Sequence, residues 1–246
     1  MSKRPNANSS SRSLQFRKLV DLSHPLYPGM PGWPTQQTLK YEMIKSVARD
    51  TYALTLITQM VTHTGTHLDA PAHFLSDGKT IDQLPFESYY GEGTVIDLSK
   101  KKATEEITKK DLEKYERDIR KGEVLLIRTG WDKKFGLSSE FLYEWPYLGI
   151  ESAEYLVSKR IKAVGIDGLS IGGWNETVPA HPPSANSSPT ETHKILLAAN
   201  IVIIEVLAHL DQVLEGRDSA KAFFLLAPLN LVKAEGSPTR AVAFLQ

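Results

Sequence analysis

Short, nearly uninterrupted apolar runs alternate with segments of helical period from residue 95 onward. The runs at 95–98, 124–128, 163–166 and 201–206 read as strands, and their lack of polar alternation is that of strands covered on both faces. Between them, 108–120 is predicted as a helix opened by Thr108, with Asp111 three residues on as its capping partner. A second helix is expected over 150–159, with Ala153, Leu156 and Val157 on one face, and a third over 191–199. The first third of the chain is mostly extended in character. Residues 19–22 form a short strand, and 39–48 and 51–61 alternate as an antiparallel pair joined at Arg49-Asp50. Late strands fall at 223–226 and 241–244. The pattern predicts one α/β domain with a mixed sheet over residues 18–246.

Two stretches break the pattern. Residues 24–34 hold four prolines among eleven positions, which excludes a helix and makes a semi-rigid surface loop. It carries Tyr27 and Trp33, whose rings either line a pocket rim or pack the loop down. Residues 169–189 form a connection of about twenty residues, a length usual for functional loops. Trp174 within it has the same two readings.

Composition narrows the chemistry. Of 246 residues none is cysteine, so disulfide scaffolds and thiolate metal sites are excluded. Lys+Arg and Asp+Glu are both 29, leaving no electrostatic footprint for nucleic acid or an anionic membrane. The longest apolar stretch, 195–210, is interrupted by Asn200, Glu205 and His209 and does not make a spanning helix. Residues 1–17, rich in Ser, Asn, Arg and Lys, are expected to be a disordered tail. Without an apolar signal core they point to the cytoplasm, with a transit peptide as the alternative. Neither a phosphate-binding glycine loop nor a Gly-x-Ser-x-Gly elbow is present.

Four metal-type donors fall within eleven residues: His63, His67, Asp69 and His73, from a chain with seven histidines. Imidazole and carboxylate suit a borderline divalent ion when sulfur is absent. In extended chain His63 and His67 would stand roughly 13 Å apart at about 3.3 Å per residue, too far to share an ion. Shared ligation therefore demands a turn at Gly65. Asp69-Ala70-Pro71 then holds the chain extended and presents His73 as either a further ligand or a general acid/base. A second anomaly is Glu205, a carboxylate inside an apolar strand. A divalent ion, a partner such as Arg128, or a place at the strand's exposed end would each account for it. His24, His181 and His209 have bland structural readings.

The run His63-Thr-Gly-Thr-His67-Leu-Asp69-Ala-Pro-Ala-His73-Phe resembles the signature of the metal-dependent cyclase and formamidase family. The likeness extends to Asp21-Leu22-Ser23-His24-Pro25-Leu26, to Gly165-Ile166-Asp167 and to His193 and Glu205, twelve residues apart. The resemblance implies a swivelling β/β/α domain and a first metal held by His63, His67 and Asp69. It implies that a second metal shares Asp69 and is completed by His193 and Glu205, and that His73 transfers protons. It also implies homodimers or larger oligomers. The expected reaction is metal-dependent hydrolysis of a C–N acyl bond in an arylformamide, lactam or cyclic amide, using Zn²⁺ or Mn²⁺, with two ions per subunit. A cyclase, dehydratase or lyase, and a non-catalytic metal-stabilised protein, are the alternatives. Tyr27 stands where formamidase members carry tryptophan, Met30 where they carry an acidic residue, and glycine follows Ser170-Ile171 where an acidic residue is frequent. The substrate pocket, to which Tyr27, Trp33 and Trp174 are assigned, is therefore not a copy of the formamidase one.

Overall fold

The run 124–128 shows why this chain builds a sheet covered on both sides. Val124 and Leu126 enter one core with Val95, Val202 and Ile204, while Leu125 and Ile127 enter another with Ile96, Val164 and Ile203. Strand side chains alternate in direction, so two apolar environments require an apolar residue at every position. The computed structural model describes residues 15–178, 180–184 and 187–246.

In chain order the strands are β1 (Lys18–Asp21), β2 (Lys40–Lys45), β3 (Leu54–Gln59), β4 (His67–Asp69), β5 (Tyr90–Asp97), β6 (Glu106–Ile107), β7 (Val124–Arg128), β8 (Tyr147–Leu148), β9 (Ala163–Ile166), β10 (Val202–Glu205), β11 (Ser219–Leu225), β12 (Gly236–Pro238) and β13 (Val242–Leu245). The helices are α1 (Val47–Asp50), α2 (Lys109–Glu113), α3 (Ser139–Tyr143), α4 (Ile150–Lys159), α5 (Pro189–Ala198) and α6 (Leu210–Leu214). Nine strands form one sheet in the order β1-β13-β11-β5-β7-β9-β10-β4-β12. Its centre, β5-β7-β9-β10, is parallel and the flanks are antiparallel. The expected α/β architecture with a mixed sheet is what the chain adopts.

Helices α4 and α5 cover one face through Ala153, Leu156, Leu196 and Leu197, and α6 covers the other through Leu210, Val213 and Leu214. The predicted helix at 108–120 is shorter than its pattern. Thr108 and Asp111 make the reciprocal capping box, but α2 ends at Glu113 and the chain tightens into three-residue turns. There Tyr115 leaves the helical path and its hydroxyl donates to the Asp97 carbonyl at 2.8 Å.

β2 and β3 pair antiparallel as expected, with α1 at their turn, but they stand apart from the main sheet. Met43, Val47, Leu56 and Ile57 on this hairpin are all exposed. Residues 1–14 of the predicted tail lie outside the described residues. Residues 16 and 17 contact the sheet: Phe16 packs edge-on against Phe244, and the Arg17 amide donates to the Leu245 carbonyl. Among the described residues no helix is long and apolar enough to cross a membrane.

Candidate metal centre

Strand register brings the candidate donors together. β4 lies between β10 and β12, with His67 opposite Glu205 and Asp69 opposite Ile203 on one side. On the other side Gly236 stands opposite Asp69. Directly paired residues share a face, and so do residues two apart. His67, Asp69 and Glu205 therefore project together from two neighbouring strands.

His63 reaches them through the turn that the sequence demanded. Gly65 has φ +63°, in the left-handed region that glycine adopts without cost. The His63 and His67 rings consequently lie 5.0 Å apart, edge to face. A Cβ at residue 236 would come within 2.7 Å of His63 Cε1, so glycine there makes room for the ring. The fifth donor comes from α5, which starts at Pro189 and buries His193 in its second turn.

The two strand-borne carboxylates and these histidines are buried, apart from the partly exposed His63. His67 Nδ1 is 2.7 Å from the Gly65 carbonyl, and His193 Nδ1 is 2.6 Å from that of Pro189. A carbonyl only accepts, so in each neutral ring the proton sits on Nδ1 and a lone pair on Nε2 faces the centre. His67 Nε2 stands 3.4 Å from Glu205 Oε2 and 3.5 Å from Asp69 Oδ1. His193 Nε2 stands 3.2 Å from Glu205 Oε1 and 3.6 Å from Asp69 Oδ2. Neighbouring ligands on a tetrahedral ion with bonds of about 2.1 Å are about 3.4 Å apart. Neither Asp69 oxygen receives an aligned hydrogen bond although the side chain is fully buried. Converging lone pairs and unpartnered buried carboxylate oxygens fit a divalent cation, which would remove the cost of leaving them so. Two donor groups share Asp69: His63, His67 and Asp69, and Asp69, His193 and Glu205.

Electrostatics point the same way. Burial works against the charge on His63, but Asp69, at 2.8 Å, and Glu235 outweigh it and raise the ring to about 10. Burial likewise opposes ionisation of Asp69 and Glu205, yet the neighbouring histidines hold both carboxyls below their ordinary range. His193 is raised because Glu205 and Asp69 overcome its burial. The cluster pulls positive charge toward itself.

Glu205 is not paired with Arg128, which forms its ion pair with Asp97 at 3.0 Å. Its Oε1 instead accepts from the Ile171 amide at 2.6 Å and the Ser170 hydroxyl at 3.0 Å. Those donors come from the start of the long loop after β9, and sequence reasoning did not assign them to the site. It also missed Glu235, just before β12, which lies 3.4 Å from His63 Nε2 and accepts from the Thr62 hydroxyl at 2.6 Å. His63, the Thr62 hydroxyl and backbone donation hold Glu235 down at about 2. No local pattern marks Glu235; only the closing pair β4–β12 brings it beside His63.

A cavity of about 280 Å³ opens over this centre. His73, at the end of the helical turn Pro71–His73, lines it with its ring centroid 4.1 Å from that of His63. Burial chiefly, with His63 and His193 adding to it, lowers His73 to about 4, so the ring is neutral near pH 7. Trp33 also lines the cavity. Trp174 is fully buried behind it, with ring centroids 5.1 Å apart. Tyr27 is 40% exposed and lies outside the cavity lining. The other histidines sit elsewhere: His24 stacks on Phe135, His181 stacks on Tyr143, and His209 bonds the Asp21 carbonyl.

The family model described as "Putative cyclase" matches residues 20–172. Kynurenine formamidase of Bacillus anthracis is 34% identical over 229 residues, spanning 93% of this chain and 98% of its own. Isatin hydrolase A from Ralstonia solanacearum superposes with a TM-score of 0.79 at 26% identity, over 93% of this chain and 92% of its own. An isatin hydrolase bound to the product analogue thioisatinate gives a TM-score of 0.78 at 27% identity, with the same coverage.

Proposed function

The chain belongs to the cyclase family, and from that premise we propose that it is a metal-dependent amidohydrolase acting on a small arylformamide, lactam or cyclic amide. The observation that carries this reading is the convergence of four Nε2–carboxylate separations of 3.2–3.6 Å on Asp69 and Glu205, with neither Asp69 oxygen receiving an aligned hydrogen bond. In this reading His63, His67 and Asp69 hold one cation, and Asp69, His193 and Glu205 hold a second. When bound, a divalent cation supplies Lewis acidity, acidifying water and polarising the substrate carbonyl.

The chain's own groups do the rest. The Gly65 and Pro189 carbonyls fix the tautomers of His67 and His193, and Ser170 with the Ile171 amide fixes Glu205. His73, neutral and facing the cavity, takes a proton from the attacking water at its ring nitrogen. Oxygen bonds to the acyl carbon, the C–N bond breaks, and His73 returns the proton to the departing nitrogen. Trp33 forms an apolar wall for a flat substrate, backed by Trp174; Tyr27 is assigned to the outer rim.

The finer form of the proposal is zinc or manganese, which the thiolate-free donor set favours. It includes a homodimer or larger oligomer, for which the exposed apolar hairpin β2–β3 is a ready contact surface. It also includes a cytoplasmic location.

Elemental analysis of protein purified without immobilised nickel, paired with assays on N-formylkynurenine, isatin and simple cyclic imides, tests the proposal. Metal bound to the protein, activity lost on chelation and recovered with Zn²⁺ or Mn²⁺, and solvent oxygen in the acid product are expected. Ion-free protein with undiminished turnover would overturn it, and product without solvent oxygen would indicate the cyclase or lyase alternative.

A further inference from the structure

The cavity has an anionic side chain that the proposed reaction does not use. Glu176, on the long loop after β9, lines the same space as His67, His193 and Glu205. Those three are buried, whereas Glu176 and its neighbours Trp33 and Gln36 are partly or fully exposed, so the loops make the mouth, and the strands with α5 make the floor. Glu176 Oε1 accepts from Trp33 Nε1 at 2.7 Å and from the Thr35 hydroxyl at 3.4 Å. Among the described residues Oε2 has no hydrogen-bond partner. Among the described residues, none of those lining the cavity is lysine or arginine. A substrate carboxylate in the mouth would thus meet a carboxylate of like charge with no lysine or arginine beside it. An ammonium group would meet an acceptor whose second oxygen is already held in place by an indole and a hydroxyl.

Resting on the amidohydrolase reading, we propose that Glu176 is a specificity-determining residue selecting amides that carry a cationic ammonium group away from the scissile bond. Charge-assisted hydrogen bonds in a partly desolvated cavity are stronger than neutral ones, and like charges are rejected by comparable amounts. The geometry also holds Glu176 in position without consuming it: the indole restrains one oxygen and leaves the other to the ligand.

A merely structural role, clamping the two loops together, predicts a different outcome from a charge-reading one. Glu176→Gln keeps an oxygen to accept from Trp33 but removes the charge. The full-length zinc-loaded protein and this variant are compared on three formanilides alike except for an aminomethyl, carboxamide or carboxylate substituent. Wild type is expected to favour the aminomethyl over the carboxylate substrate in kcat/KM. The variant should compress that ratio roughly tenfold, mainly through KM. Glu176→Lys should invert the preference. Titration calorimetry of the corresponding substituted anilines provides a readout without turnover, with the same compression expected in the ratio of Kd values. An unchanged ratio in Glu176→Gln by both measurements overturns the proposal, as does wild-type preference for the carboxylate that the variant leaves intact. If no formanilide is turned over, the amidohydrolase reading fails for this class, and the calorimetric ratio alone decides the role of Glu176.

Discussion

The floor and the mouth of the cavity are built by different means. On the floor, His67, Asp69 and Glu205 stand on adjacent strands whose register leaves no freedom in which residues face each other. His67 Nδ1 is held by a backbone carbonyl and Glu205 Oε1 by a backbone amide, and all three side chains are buried. At the mouth, Trp33 and Glu176 belong to two loops joined by an indole–carboxylate bond, a longer hydroxyl contact and the packing of Trp33 against Trp174. A strand-borne site resists displacement, since a slip of one residue would turn every donor to the opposite face. A loop-borne rim changes without disturbing the sheet. In the proposed reading, the donors that require sub-ångström placement are carried mainly by the sheet, and the groups that would read a substrate are carried by loops.

Substitutions that tell floor from mouth follow, from the largest effect down. His67→Ala or Asp69→Ala should abolish both metal content and activity, because each removes a donor whose neighbours are already desolvated. Elemental analysis beside an assay checks this, and unchanged metal binding in either variant would remove the first proposed site. His73→Ala should lower kcat by roughly 10²–10⁴ with metal content retained, separating proton transfer from ligation. Full turnover in that variant would discard the assigned role.

Glu235→Gln should weaken metal affinity about 10–100-fold by loosening His63, a smaller loss because no donor is removed. Competition with a chelator measures it. Trp33→Ala, at the mouth, should raise KM several-fold with metal affinity unchanged; a loss of metal instead would show that floor and mouth are coupled.

Asp111→Ala, far from both, should leave kcat unchanged and cost about 1 kcal/mol through loss of the α2 capping box. Burial opposes its ionisation, but Lys101 and Thr108 hold the carboxyl well below its ordinary range. A depressed carboxyl stabilises the fold above its unfolded value of about 3.9. Its contribution disappears as pH falls through the folded value. The stability difference between wild type and variant should therefore be largest near neutrality and shrink in acid, as denaturant titrations at several pH values would show.

Much of this was legible locally. The apolar runs at 124–128 and 163–166 are strands with the predicted bounds, and the helix at 150–159 has both predicted ends. The His63–His73 cluster announced itself by density, and shared ligation by His63 and His67 required the turn found at Gly65. The α2 helix stopped early because its cap, a local feature, does not determine where tertiary contacts draw Tyr115 away. β4 and β12, three residues each, have no period long enough to read.

The amino-acid order by itself determined which donors exist, that sulfur is not among them, and that the chain must bend between His63 and His67 if the two are to share an ion. Those follow from residue type and backbone reach, which depend on near neighbours alone. Only the tertiary structure decided that Glu205 faces His67, that Ser170 and Glu235 orient the donors, and that Trp33 rather than Tyr27 walls the cavity. These depend on the pairing of strands and loops distant along the chain, and pairing energy is spread over the whole sheet rather than written at any one position.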